Sequence, residues 1–356
     1  MSDLAKWKVH GPVKTLKSEF ATWDRDRQDW QAAEHFTVSS FNPDGTISST
    51  DAHNPDGTIA HSQWLRDDAG RTIESHSWMN DGPIGRTVYV YDESGRPIRT
   101  TYLGQDGTGR DMEVYSYDSD GWRTKVQFLA RHEADSECST SRACGATTGY
   151  SIEGTDSAYG APGATTMTID YDERDLPTRV SFHDANRHPL SYVILMRDSA
   201  GRLMSEEFHQ GERSPFQNNL DDMASPEERE RLAALFDAVL GKGFSSITYG
   251  YDAKGRLVTR QHRMGNLGGH STTYRYGERD DPVEETTEHK SRQASFDETG
   301  NVKYSSDRIN VRHNQLEYLY DAHGNWTERI VSFRSESEPT FQRSNIERRM
   351  ITYYPT

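Results

Sequence analysis

Two indoles, a carboxylate, an imidazole and a guanidinium stand close along the chain at Trp64, Glu74, His76, Trp78 and Arg86. If the turn at Gly70 pairs Asp67 with Arg71, Trp64 lies opposite Glu74, Ser62 opposite His76 and Ala60 opposite Trp78. Strand side chains alternate with a period of two, so the set shares one face, and the next hairpin lays Arg86 beside His76. Indole faces stack on sugar rings, while guanidinium and carboxylate groups make forked hydrogen bonds to hydroxyls. The five residues are therefore a candidate ligand-binding site. Ordinary cross-strand packing on a half-wet sheet is the competing reading.

Other chemistry is sparse. Fourteen histidines are present, yet there is no Gly-x-Ser-x-Gly, His-Glu-x-x-His or phosphate-binding loop, so the catalytic residues stay unknown. Glu74 and Glu113 are candidates for a carboxylate pair of the kind glycoside hydrolysis uses. Cys138 and Cys144 are the two cysteines; their spacing allows a small disulfide loop and is too wide for a Cys-x-x-Cys redox pair. No metal site and no cofactor is expected. The many Asp and Gly residues could evoke calcium, but backbone capping in turns accounts for them.

Those turns organise the chain. Tyr-Asp-x-x-Gly-Arg occurs at Tyr91–Arg96 and Tyr251–Arg256, with variants at Tyr117-Asp118 to Gly121, Tyr171 to Asp175, Arg197 to Arg202 and Tyr320-Asp321 to Gly324. A second kind of turn is Asn42-Pro43-Asp44-Gly45, repeated at Asn54 to Gly57, with Asn80-Asp81-Gly82 and Gln105-Asp106-Gly107 as shorter forms. Asp92, Asp118, Asp252 and Asp321 are each placed to accept backbone N–H groups two and three residues on. Gly95, Gly121, Gly255 and Gly324 are placed to take the left-handed conformation that a Cβ opposes. Turn glycines from Gly45 to Gly121 recur at intervals of 12, 13, 12, 13, 12 and 14 residues. That leaves strands of about eight residues, and two strands with two turns make one repeat. The Tyr before each turn Asp is expected to staple its hairpin: Tyr251 faces Leu257 and Tyr320 faces Trp326.

The Tyr-Asp-x-x-Gly-Arg turns at this spacing resemble the YD repeats of RHS-type proteins, over about residues 36–334. The resemblance implies a long antiparallel sheet. Large relatives wind that sheet into a shell, often around a toxic C-terminal domain. This chain is shorter, has no separate domain after the repeats, and lacks the Asp-Pro-x-Gly-Leu-like signature of self-cleavage; Asp281-Pro282-Val283-Glu284 does not match it.

The expected fold is all-β: one continuous domain, an antiparallel meander of YD-type hairpins curling into an open or spiral tube, with one inserted amphipathic helix. Residues 1–35 form an opening hairpin and N-terminal cap, and 36–131 the first repeats. Residues 132–165 are a long loop rich in Gly, Ala, Ser and Thr, and 166–208 resume the repeats. Residues 209–244 hold a linker and the helix, and 245–356 the remaining hairpins and C-terminal strands. The helix carries clear signals: Ser225 as N-cap, Pro226 first, Glu228 completing a capping box, and an apolar stripe through Leu232, Leu235, Phe236, Val239 and Leu240. Leu, Ile, Val and Phe make up only 57 of 356 residues, so the inside of the curl is expected to be wet, polar and lined with Tyr.

A net charge of −15 argues against nucleic acid as a partner. No apolar run is long enough to insert in a membrane. Met1 to Lys8 lacks the apolar core of a secretory signal, which places the chain in the cytoplasm by default, with export by a non-classical route left open. Three functions fit. One is a non-enzymatic repeat scaffold that binds a protein or glycan. A second is a hydrolase with paired carboxylates. The third is a small shell or chaperone for a partner peptide.

Overall fold

The hairpins form because an Asp carboxylate satisfies its own turn. The computed structural model describes residues 3–355 apart from 32, 34, 81, 120–122, 129–149, 152–157, 160, 162–163, 212–224, 226–227, 229–242 and 298–301. At the turn following Tyr91, Gly95 N donates to Asp92 O (2.9 Å) and Asp92 N to Arg96 O (2.9 Å). Asp92 Oδ1 accepts the N–H of Ser94 (3.0 Å) and of Arg96 (2.9 Å), and Oδ2 accepts Arg96 Nε (2.7 Å). The second backbone donor is thus four residues on, not three. The pattern repeats at Asp67, Asp198 and Asp252. Asp321 follows it on the backbone, through His323 and Asn325. Gly95, Gly255 and Gly324 have φ of 79°, 81° and 83°. At residues 80–82 the left-handed residue is Asn80 (φ 51°), and Gly82 begins the next strand. Asp118 follows the Gly109–Tyr117 strand, while Gly121 lies outside the described residues.

Tyr251 pairs with Leu257 and Tyr320 with Trp326, as read from the sequence. The tyrosines also do something the sequence reading missed: they lock one hairpin to an earlier one. Tyr91 OH donates to Thr72 O (2.7 Å), and the Arg71 guanidinium lies 4.9 Å from the centre of its ring. Tyr251 OH donates to Leu203 O (2.9 Å) beneath Arg202 at 5.0 Å. Arg71 and Arg202 therefore each hold their own turn Asp on one side and a later Tyr on the other.

After each such turn the returning strand carries one extra residue. Tyr251 pairs with Leu257 but Gly250 with Thr259, leaving Val258 between. The same slip follows Arg66, Tyr91, Arg197 and Tyr320. A β-bulge of this kind shifts the side-chain alternation by one.

The regular structure of the described residues is almost all strand, in antiparallel pairs, with a short 3-10 turn at Asp3–Trp7. They group into two compact units. Unit 1 comprises Met1–Asp111, Arg275–Glu285 and Arg312–Thr356, and unit 2 comprises Met112–Tyr274 and Thr286–Val311. In unit 1, Val13–Asp24 pairs with Phe36–Phe41 on one side and with Glu338–Tyr353 on the other. The first and last long strands are thus joined, which corrects the expectation of an open or spiral sheet: neither is left as a free edge with unpaired backbone groups.

Apolar filling is scarce but unevenly placed. Unit 2 buries a dry cluster that includes Val126, Met167, Ile169, Val180, Phe182 and Val193. Cross-strand neighbours build it, as in Met167 opposite Phe182 and Ile169 opposite Val180. The uniformly wet interior expected from composition fails there. In unit 1 the cluster is small, Val9, Val13, Leu16 and Phe41, covered by Leu4 and Trp7. Asp3 anchors that cover by accepting Ile47 N (2.8 Å) and Arg66 Nη2 (3.2 Å).

Ser225 and Glu228 exchange the hydrogen bonds of a capping box, Ser225 N to Glu228 Oε2 (3.0 Å) and Glu228 N to Ser225 Oγ (3.3 Å). The apolar stripe from Leu232 to Leu240 lies outside the described residues, as do Cys138 and Cys144.

The interlock makes turn glycines unequal. A Cβ on Gly57 meets nothing within 4 Å, whereas one on Gly95 lies 2.9 Å from Arg71 Nη1. Gly57→Ala is expected to cost about 1–2 kcal/mol, the left-handed backbone alone. Gly95→Ala is expected to cost somewhat more, because the Arg71 guanidinium must also shift to make room. Urea denaturation of both variants checks the order.

Candidate ligand-binding groove

The structure keeps four of the five predicted residues together and removes one. Glu74, His76 and Trp78 alternate onto one face of Thr72–Met79, and Arg86 pairs with His76. Trp64 instead pairs with Ser75, and Leu65 takes the place opposite Glu74. Ile73 is the bulge residue that causes the slip, so Trp64 points to the other face.

Glu74 Oε1 accepts Arg86 Nη1 at 2.7 Å and lies 2.8 Å from His76 Nε2. Burial raises the Glu74 carboxyl, but the bonds from Arg86 and His76 outweigh it and hold the group below its ordinary value. The His76 and Trp78 rings are 5.5 Å apart. Across the strand, His61 is opposite Trp78 and Gln63 opposite His76. Asp51 is opposite His61, with Oδ1 2.7 Å from His61 Nδ1.

Trp78 thus stands between two imidazole–carboxylate pairs. Beside it runs an open groove of about 450 Å³ lined by Ser49, Asp51, His61, Ser62, Gln63, Trp78 and Asn80. Asn80 closes the hairpin by accepting Ile59 N (2.8 Å) on its side-chain oxygen. The sequence reading missed Asp51, His61, Gln63 and Asn80. The signal was there: Asp51 and His61 flank the Asn54–Gly57 turn at positions that pair. Chemically, the groove offers one indole face, one carboxylate, an imidazole and two amides.

The carboxylate-pair idea fares less well. Glu113, in unit 2, accepts the Tyr115 hydroxyl, and Glu74 is held ionised by its partners. The turn carboxyls are displaced downward by their own turn hydrogen bonds, as at Asp67 and Asp92. A general acid needs the opposite shift. One buried carboxylate escaped the sequence reading. Glu206 is fully buried in the unit 2 cluster, where Tyr249 OH (2.6 Å) and Tyr159 OH (3.0 Å) take its two oxygens. Satisfied on both sides and closed off from water, it is a structural carboxylate.

No family model matches the chain, and no curated protein matches it. Solved structures do. A TcdB2–TccC3–Cdc42 structure matches over 91% of this chain at 10% identity and a TM-score of 0.38, and the chain spans 15% of its length. A porin-like protein from Bacteroides uniformis matches over 97% of this chain and 99% of its own length, at 10% identity and a TM-score of 0.32. A Photorhabdus luminescens Tc holotoxin pore matches over 86% at 12% identity and a TM-score of 0.24, with 19% of its length spanned.

Arg86→Met removes both a hydrogen bond and a charge from Glu74, leaving burial less opposed. The Glu74 pKa is expected to move up from its depressed value, read by carbon-detected NMR titration of the carboxyl. No movement would mean that Arg86 does not set it.

Proposed function

We propose that this protein is a non-enzymatic β-repeat scaffold that binds a glycan in the groove beside Trp78. The observation that carries the reading is the indole set among groups with hydrogen-bonding capacity to spare. Asp51 uses one oxygen on His61, and Gln63 sits beside them at the register position opposite His76. Sugar hydroxyls need such paired donors and acceptors, and a pyranose ring needs the apolar face that Trp78 supplies. The alternation of the sheet provides most of this, with three strands each contributing side chains and Asn80 adding an amide from the turn.

The lowered carboxyls weigh against the hydrolase alternative. A groove that is open rather than enclosed supports recognition of an extended ligand more than enclosure of a single small substrate.

A glycan array followed by calorimetry tests the reading. Trp78→Ala and Asp51→Asn are expected to weaken the best glycan by about tenfold or more each, with circular dichroism unchanged. Trp64→Ala, on the other face, is expected to leave binding intact. A wild-type protein that captures no glycan, or a Trp78→Ala variant that binds as well, defeats the proposal.

A further inference from the structure

Unit 2 carries a row of three imidazoles that the groove does not use. His262, on Leu257–Met264, lies 5.1 Å ring to ring from His270 on the next strand, and His270 lies 5.4 Å from His289 beyond it. His262 and His270 are half-buried and His289 is exposed. The rings are close because the backbones are close. A Cβ on Gly269 would sit 2.0 Å from His262 O, and one on Gly268 2.0 Å from Lys290 O. Two adjacent glycines thus let the His270 strand press between its neighbours.

We propose that this histidine ladder is an acid-operated latch: protonation puts like charges on adjacent strands and loosens this part of unit 2 while the seam of unit 1 holds.

The surroundings favour the neutral form. His262 Nε2 is 2.6 Å from Ser245 Oγ. Arg260 is on the same face two residues before His262, opposite Thr272, whose hydroxyl is 3.2 Å from that of Thr287. From Gly243–Tyr251, Ser245, Ile247 and Tyr249 share the ladder's face, Tyr249 opposite Arg260; from Pro282–Ser291, Glu285 lies four residues before His289 on the same face and accepts Asn314 Nδ2 (3.5 Å). Glu206 lies behind Ile247 with both oxygens taken by tyrosines. Lys290 alternates to the opposite face and pairs with Asp307 at 2.7 Å. Burial first, and then Arg260, pushes His262 down from 6.5; burial, the neighbouring imidazoles and Arg260 do the same to His270.

The sign follows from linkage. A histidine with a lowered folded pKa binds fewer protons folded than unfolded. Stability is therefore complete above the ordinary imidazole value of 6.5 and is lost as pH falls from there through the lowered folded values. The turn aspartates, lowered from 3.8, lose their contribution only in stronger acid. Between those ranges the turn aspartates keep their contribution. His183, also lowered by burial in unit 2, lies on a different strand and offers a local control.

Hydrogen exchange of the whole chain by mass spectrometry, at about pH 7 and about pH 5 with intrinsic rates corrected, tests this. In the wild type, protection over residues 257–274 is expected to fall about tenfold or more in acid, while residues 13–24 and 338–353 keep theirs. The His262→Gln/His270→Gln variant is expected to keep its protection in acid over 257–274. Should that variant fail to fold at neutral pH, His289→Gln, at the exposed end, is expected to shrink the acid loss. Equal protection at the two pH values, a loss shared by residues 13–24, or a loss undiminished by His289→Gln would overturn the latch.

Discussion

One carboxylate per turn does most of the organising. The Asp of each Tyr-Asp-x-x-Gly-Arg turn spends Oδ1 on two backbone N–H groups and Oδ2 on the turn arginine. In the related turns at Asp67 and Asp198 the arginine, held in the same way, lies over the tyrosine of a later turn: Arg71 over Tyr91 and Arg202 over Tyr251. The tyrosine hydroxyl then returns a hydrogen bond to the backbone just after the arginine. No single link is strong, since most of these groups are half-exposed and screened. Repetition makes the rim of the sheet a chain of interdependent contacts, as expected for arrays stabilised by neighbour terms. A sheet with so little apolar volume has need of this. Among the described residues, the sizeable apolar cluster is that of unit 2.

The groove inherits its order from the same rim. Trp78, His61 and Asp51 are neighbours because three strands keep register between two kinds of turn. Rigid registers hold side chains more precisely than loops do. The imidazole–carboxylate pairs on either side of Trp78 add fixed polar edges. Unit 2 uses the same lattice differently. It spends rows on aliphatics around Glu206, and then on the histidine ladder.

The bulge decides which face a residue takes. It is one extra residue, and it turns Trp64 away from the groove while bringing Gln63 in. A ladder drawn without it is wrong on one strand and right on the next, which is why Arg86 opposite His76 was read correctly. The joined first and last strands are equally invisible locally. Val13 pairs with Tyr353, and nothing within either segment names the other.

Much was legible in the chain because turn chemistry is local. Asp, Gly and Arg at fixed offsets define hairpins, strand length and antiparallel order, and the tyrosine partners Leu257 and Trp326 follow from the turn alone. Those features depend on backbone sterics and hydrogen bonds within a few residues. Tertiary structure decided what depends on distant partners: the bulge-shifted faces, the Asp51–His61–Trp78 row, the burial of Glu206 between Tyr159 and Tyr249, and the seam between first and last strands. Each of these is settled by packing between segments far apart in sequence, where a shift of one residue exchanges the two faces of a sheet.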